Sequence, residues 1–166
     1  AASAEGRHAG CRNESDWGIQ WLERHPCHLS YVDRASCTAP KNHSVVCWGD
    51  NEFGQRNVPV HQQWLEVDSG THHACGVMDN GTARCWGNNN IGQSAIRFPD
   101  SKRWLQVVAG GAHTCGIDAE RRMHCWGRNR EGQAAPPCLD SWLRACAGKL
   151  HTCGVHSDLS IECSPP

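Results

Sequence analysis

Residues 108–133 read VAGGAHTCGIDAERRMHCWGRNREGQ, and the same order of residue types recurs along the chain. The string Cys-Trp-Gly occurs at 47–49, 85–87 and 125–127, and Gly-Gln follows it at 54–55, 92–93 and 132–133. A Trp-Leu pair and a His-x-Cys-Gly step complete each unit. The period is about 38 to 40 residues, which is typical of propeller blades and solenoid repeats.

Eight of the cysteines keep one constant spacing. They form the pairs Cys37–Cys47, Cys75–Cys85, Cys115–Cys125 and Cys153–Cys163, each ten residues apart. Turn-forming residues lie between the members of a pair, most clearly Asp79-Asn80-Gly81. A three-residue hairpin loop with a left-handed glycine places residues 75 and 85 opposite each other, at a distance that a disulfide tolerates. We therefore predict one cross-strand disulfide in every repeat, each stabilising the fold by roughly 2–3 kcal/mol.

Each repeat is predicted to contribute three antiparallel strands. In the third repeat they cover residues 104–109, 113–117 and 123–126, and a connector rich in Gly and Pro follows. The predicted fold is all-β, with four three-stranded blades of propeller type in one continuous domain. The predicted boundaries are an N-terminal segment at 1–20, repeats at 21–58, 59–97 and 98–137, and a truncated fourth repeat at 138–166.

Composition indicates an extracellular protein. Twelve cysteines among 166 residues indicate an oxidising compartment. The sequence contains no Cys-x-x-Cys pair, which argues against a zinc site as the alternative. The chain begins at Ala1 without a methionine, as the product of signal-peptide cleavage would. The net charge is only −1, there is no Lys/Arg tract, and no apolar run is long enough to span a membrane. We expect a secreted protein that binds no nucleic acid and has no membrane span.

Three glycosylation sequons agree with secretion. They begin at Asn13, Asn42 and Asn80. Asn80 lies at the tip of the second predicted hairpin, and Asn42 lies at the equivalent point of the first. Because hairpin tips are exposed, N-linked glycans would be tolerated there.

The segments at 108–116 and 124–133 resemble the regulator-of-chromosome-condensation repeat, and the resemblance extends over roughly residues 20–163. Members of that family fold as β-propellers, typically of seven blades. They include a nucleotide exchange factor for a small GTPase, a plant ultraviolet receptor and a secreted β-lactamase inhibitor, so the fold does not determine the function. This chain departs from them in having four repeats and paired cysteines. The secretion signals argue against the nuclear exchange-factor role.

The repeated histidines and tryptophans are interpreted as structural. A metal site is the alternative for the histidines, and sugar stacking is the alternative for the tryptophans. The resemblance instead implies that the histidines tie strand to connector by hydrogen bonds, and that the tryptophans pack between blades. These residues are His73, His113, His151, Trp48, Trp86, Trp126, Trp21, Trp64, Trp104 and Trp142. No catalytic motif is present, so we expect neither an enzyme nor a cofactor nor a bound metal.

Four cysteines lie outside the repeat spacing. They are Cys11, Cys27, Cys138 and Cys146, for which Cys11–Cys27 with Cys138–Cys146 is the favoured pairing among three possible connectivities.

The predicted function follows from the number of repeats. Four blades of a shape suited to about seven would form an open arc, and the fourth repeat lacks a connector. We expect a non-catalytic glycoprotein subunit that self-associates through its end repeats into an extracellular structural assembly such as a fibre. The alternative is a secreted recognition module, either a lectin or a protein-binding inhibitor, that works as a discrete monomer or dimer.

Overall fold

A computed structural model describes residues 35–39, 44–60, 62–136 and 140–164. Within these ranges the regular structure consists of strands. They are β1 (Ala35–Thr38), β2 (Val46–Gly49), β3 (Trp64–Ser69), β4 (His73–Met78), β5 (Ala83–Gly87), β6 (Trp104–Ala109), β7 (His113–Asp118), β8 (Met123–Gly127), β9 (Trp142–Ala147), β10 (Thr152–His156) and β11 (Ile161–Ser164). The described part of the chain contains no helix that could span a membrane.

The strands form four antiparallel sheets, one for each repeat. Their orders are β1-β2, β3-β4-β5, β6-β7-β8 and β11-β10-β9. We call these sheets blades 1 to 4. Blades 2 to 4 have the three strands that the sequence predicts, and the third strand predicted for blade 1 falls outside the described residues. The all-β propeller-type fold is therefore confirmed.

Each blade carries the predicted hairpin disulfide. The four bonds have S–S distances of 2.05 to 2.08 Å and join directly opposed residues with Cα atoms 4.0 to 4.2 Å apart. In blade 2 the hairpin closes through a 2.8 Å bond from Met78 N to Thr82 O, with Gly81 at φ 78°. Cys146 is also disulfide-bonded, whereas Cys11, Cys27 and Cys138 lie outside the described residues.

The hydrophobic core lies between neighbouring blades. One cluster joins blades 1 and 2 through Cys37, Trp64 and Trp86. The next joins blades 2 and 3 through Cys75, Val77, Trp104, Val107 and Trp126. The third joins blades 3 and 4 through Val108, Ile117, Met123, Trp142 and Ala145. Each blade therefore obtains its buried surface mainly from its neighbours, as expected of repeat proteins.

A contact between a tryptophan and a glycine explains why Gly follows the first cysteine of the pairs in blades 2 to 4. The ring of Trp64 lies across Gly76, where an added Cβ would come within 2.7 Å of it. The same contact recurs between Trp104 and Gly116, and between Trp142 and Gly154. No other residue can occupy this position without displacing the buried indole.

The strands have two ends, and each end forms a rim of the molecule. The tip rim contains the hairpin turns at 79–82, 119–122 and 157–160. The connector rim contains the turns at 70–72, 110–112 and 148–150 together with the connectors at 50–57, 88–95 and 128–135. The contact between Phe53 and His72, with ring centroids 4.9 Å apart, shows the first connector packed on blade 2.

Candidate binding interface: the joint between blades

The carbonyl oxygen of Gln93 is the centre of the joint between blades 2 and 3. It accepts hydrogen bonds from Thr114 Oγ1 at 2.7 Å and from Trp126 Nε1 at 3.0 Å, both supplied by blade 3. The Gln93 side chain is buried and its Oε1 accepts a bond from Ile91 N at 3.0 Å, which fixes the connector. The repeated Gly-Gln motif thus positions a carbonyl acceptor for the next blade.

His73 extends this contact back into blade 2. Its Nε2 lies 2.8 Å from Thr114 Oγ1. Because the Thr114 hydroxyl donates to Gln93 O, it must accept from His73, so the Nε2 of His73 carries a proton. Burial, together with nearby His113 and His72, lowers the pKa of His73 to about 3. The ring is therefore uncharged near neutral pH and its Nε2 is unavailable to a metal.

The joint between blades 3 and 4 repeats this arrangement with one change. His113 Nε2 lies 2.8 Å from Thr152 Oγ1, which donates to Gln133 O at 2.8 Å. Burial lowers the pKa of His113 to about 4. Ser164 occupies the position of the tryptophan and donates to Gly132 O at 2.7 Å.

The joint between blades 1 and 2 keeps the tryptophan contact but lacks the histidine–threonine pair. Trp86 Nε1 donates to Gln55 O at 2.9 Å. The positions of His73 and Thr114 are taken by Ala35 and Ala74, which are both buried. Histidine and threonine are thus replaced together, so that neither polar group is left buried without a partner.

The outermost positions of the joint are exposed. Trp48 has 53% of its surface accessible, whereas Trp86 and Trp126 have 8% and 9%. Trp48 therefore differs from Trp86 and Trp126, because no preceding connector among the described residues accepts its indole. At the other end His151 is exposed, while the equivalent His73 is fully buried.

Polar side chains of β3, β6 and β9, which we call the inner strands of blades 2 to 4, also link the blades. Sequence patterns did not reveal these contacts. Asp68 Oδ2 accepts from Ala109 N at 2.9 Å, and Gln106 Oε1 accepts from Ala145 N at 2.8 Å. Arg144 is the blade 4 residue that corresponds to Gln106, and it has no acceptor to offer. The contacts join residues about 40 positions apart, so their only sequence signal is a polar residue inside each inner strand.

A buried carboxylate on the tip rim of blade 3 also escaped sequence analysis. The Asp118 side chain is fully buried, and its Oδ2 lies 2.9 Å from Lys102 Nζ and 2.8 Å from His124 Nε2. Burial alone would raise the pKa of Asp118, but the bonds from Lys102, Arg122 N and His124 lower it below its usual range. The cluster neutralises its own charges and is best explained as a structural anchor.

Strands β3 and β6 each also have a bulge that places a leucine on the surface. The pairing shifts between Trp64 and Glu66 and again between Trp104 and Gln106. Leu65 and Leu105 are the extra residues, with 55% and 49% of their surfaces accessible. Bulges of this kind redirect a side chain away from the sheet.

Other predicted site residues fall in different places. Asn80 is exposed at the tip of the β4–β5 hairpin, while Asn13, Asn42 and Trp21 lie outside the described residues. The described ranges contain no group of three or more His, Cys, Asp or Glu residues that could hold a metal ion.

Similar structures support the repeat assignment. At 32% identity and a TM-score of 0.60, the chain resembles the entire ectodomain of the receptor kinase CR4 from Physcomitrella patens, with 72% of this chain and 33% of that one covered. It also resembles the CRINKLY WD40 ectodomain of the Arabidopsis thaliana receptor kinase ACR4, at 27% identity and a TM-score of 0.61, over 78% of this chain and 46% of that one. Prp20p from Saccharomyces cerevisiae shares the fold at 18% identity and a TM-score of 0.64, over 79% of this chain and 41% of that one.

The chain spans between a third and a half of the length of these solved structures. No curated protein shows a significant match to it. Residues 64–93 and 104–133 match the family model of the regulator of chromosome condensation (RCC1) repeat. Each match begins at the inner-strand tryptophan and ends at the connector glutamine, so it covers a blade together with the acceptor for the next. Residues 64–93 and 104–133 are therefore RCC1 repeats, folded as consecutive blades of a β-propeller.

Proposed function

We propose that this chain is a non-catalytic, extracellular protein-binding propeller segment that self-associates through its end blades and serves as a structural subunit. One observation carries the proposal. The groups that are buried in the joints between neighbouring blades are exposed on the outer blades, as Trp48 on blade 1 and His151 on blade 4. An exposed tryptophan in this setting favours a protein contact, because burying its ring removes a large apolar surface from water.

The two exposed ends match in one of the contacts that join neighbouring blades, the bond between a histidine and a hydroxyl. Ser36 stands in blade 1 where Thr114 stands in blade 3, opposite Trp48 as Thr114 is opposite Trp126. A second copy that presents His151 would therefore meet a hydroxyl acceptor beside an indole ring. This repeats the contact of His73 with Thr114 inside one chain.

The outer joint is weaker than the internal ones. In the joint between blades 3 and 4, Gln106 Oε1 accepts a hydrogen bond from the backbone N–H of Ala145. Arg144 occupies the equivalent position in blade 4, and its guanidinium cannot accept such a bond. We therefore expect reversible association that depends on concentration. Contacts of this kind are head to tail, and they produce a ring or an open helical filament according to the rotation between copies.

The disulfides support an extracellular location. Four bonds within hairpins persist in oxidising compartments and are rare in the cytosol. The similarity to two receptor kinase ectodomains agrees with that location.

Light scattering over a range of protein concentrations tests the proposal. We expect the mass to rise in multiples of one chain. Trp48→Ala and His151→Ala should each shift the association to concentrations at least tenfold higher. Leu65→Ala, which removes an equally exposed side chain away from the joint, should leave association unchanged. A single-chain mass at every concentration would exclude self-association.

A recognition module is the second candidate, and the bulge leucines favour it. Leu65 and Leu105 expose apolar surface at equivalent positions of two blades. A monomer that captures a protein ligand, and loses it on Leu105→Glu but not on Trp48→Ala, would replace the first proposal with this one.

A further inference from the structure

The tip of the second hairpin holds an asparagine in a defined orientation. Asn80 is exposed, and its Oδ1 accepts hydrogen bonds from Thr82 N at 3.0 Å and from Thr82 Oγ1 at 2.7 Å. The amide nitrogen Nδ2 makes no hydrogen bond to any described residue. Since Oδ1 faces Thr82, Nδ2 lies on the opposite side of the amide group.

The backbone around Asn80 is fixed. Gly81 N donates to Met78 O at 2.8 Å, and Gly81 O accepts from Trp104 N of blade 3 at 2.8 Å. The turn therefore uses its backbone groups in closing the hairpin and docking on blade 3. The Asn80 side chain takes no part in that docking.

We propose that Asn80 carries an N-linked oligosaccharide, an inference that rests on the extracellular location in the proposed function. The sequon Asn80-Gly-Thr82 supplies the acceptor amide and the hydroxyl. In the transfer, Asn80 Nδ2 forms a bond to C1 of a lipid-diphosphate-linked oligosaccharide. The bond between C1 and the phosphate oxygen breaks, Nδ2 loses a proton, and the lipid diphosphate leaves.

The position of Asn80 is compatible with association through the end blades. Asn80 lies on the tip rim, whereas the connectors that build the joints lie on the connector rim. A glycan on this tip therefore adds a hydrated group without covering the exposed Trp48 or His151.

Blade 4 provides a matched control within the same chain. At its tip, Ser160 N and Ser160 Oγ donate to Asp158 Oδ1 at 2.9 and 2.6 Å, as Thr82 does to Asn80. Asp158 is also exposed. It differs chiefly in having no amide nitrogen, so Asp158→Asn creates a further sequon on an equivalent turn.

Mass spectrometry of the chain secreted from eukaryotic cells tests the inference. The masses of the peptides are measured before and after treatment with an N-glycosidase, which converts a glycosylated asparagine to aspartate. We expect most molecules to be modified at Asn80, none in Thr82→Ala, and most again in Thr82→Ser. Asp158→Asn should add one more glycan, found on the peptide that contains residues 158–160.

The outcomes separate this inference from the proposed function. A secreted chain that forms its four hairpin disulfides but is unmodified at Asn80 overturns the inference and leaves self-association untouched. A chain that is neither secreted nor disulfide-bonded contradicts the extracellular location itself. Thr82→Ser keeps the hydroxyl of the turn, so a loss of glycan in that variant with normal secretion would also count against the inference.

Discussion

The Thr114 hydroxyl shows how one residue joins two blades. It accepts a hydrogen bond from His73 of blade 2 and donates one to the backbone carbonyl of Gln93 in the connector. All three residues are buried, so His73 and Thr114 depend on these contacts to satisfy their polar groups. Specificity between blades therefore comes from polar groups placed beside an apolar core.

Replacing Thr114 by valine tests this chain of bonds. Thr114→Val keeps the volume but leaves the Nε2–H of His73 buried without an acceptor, so we expect a loss of about 1–3 kcal/mol in unfolding free energy. The measurement is urea unfolding with the disulfides intact. Ser101→Ala, which removes an exposed hydroxyl, should change stability by less than about 0.5 kcal/mol. Equal effects of the two variants would contradict the assigned role.

The two buried histidines also predict a pH dependence. Their pKa values are lowered to about 3 and about 4 by burial, whereas an unfolded histidine titrates near 6.5. Between these values the unfolded chain binds more protons, so stability falls as the pH drops from 6.5 towards 4. We expect a slope of up to about 1.4 kcal/mol per pH unit for each histidine. Unfolding curves at pH 7, 5.5 and 4.5 should show a smaller decline in His113→Gln, and an unchanged decline would refute this explanation.

At the scale of elements, the hairpin turn is set by spacing and local chemistry. The ten-residue separation of the cysteines and the Asp79-Asn80-Gly81 turn predict the register of the β4–β5 hairpin, which the structure confirms. The strand predicted at 104–109 is likewise β6. These features are local, and they could be predicted because turn geometry and strand alternation depend on neighbours in sequence.

The third turn residue offers a stability prediction. Gly81 has φ 78°, and the same position is occupied by Leu159 at φ 70°. A side chain in this left-handed region costs roughly 1–2 kcal/mol, so Leu159→Gly should stabilise the chain by about 1 kcal/mol. Gly81→Leu should destabilise it, since a Cβ there also meets Arg103 Cδ at 2.8 Å. Thermal unfolding compares the two variants, and a stabilising Gly81→Leu would show that the backbone argument is wrong.

The joints between blades differ in strength because their residues differ. Blades 2 and 3 are joined by the bonds of His73, Thr114 and Trp126, whereas blades 1 and 2 have Trp86 as their indole contact and alanines at the other positions. We expect the amides of β1 and β2 to exchange hydrogen at a lower free energy than those of β7. Native-state hydrogen exchange measures this directly. Uniform protection across the blades would contradict the order of joint strengths.

At the scale of the whole molecule, the sequence predicted the repeats but not the contacts between them. The bond from Gln106 to Ala145 joins residues 39 positions apart, and the packing of successive blades brings them together. Trp48 shows the same limit. Its motif is identical to that of Trp86, and its exposure depends on the absence of an adjacent connector among the described residues. Repeat patterns therefore predict which contacts a residue can make. Whether it makes them depends on whether an adjacent blade or connector is present.

The most direct test of end-to-end association is a cross-link from the position of Trp48. A photoreactive phenylalanine analogue, which keeps an aromatic ring, replaces Trp48, and equal amounts of isotopically light and heavy chains are mixed at a concentration where the mass of this variant exceeds a single chain, before irradiation. We predict cross-links between light and heavy chains that map to residues 148–152, beside His151. Cross-links that form only within one chain, or none at concentrations where the mass exceeds a single chain, would contradict the proposed joint.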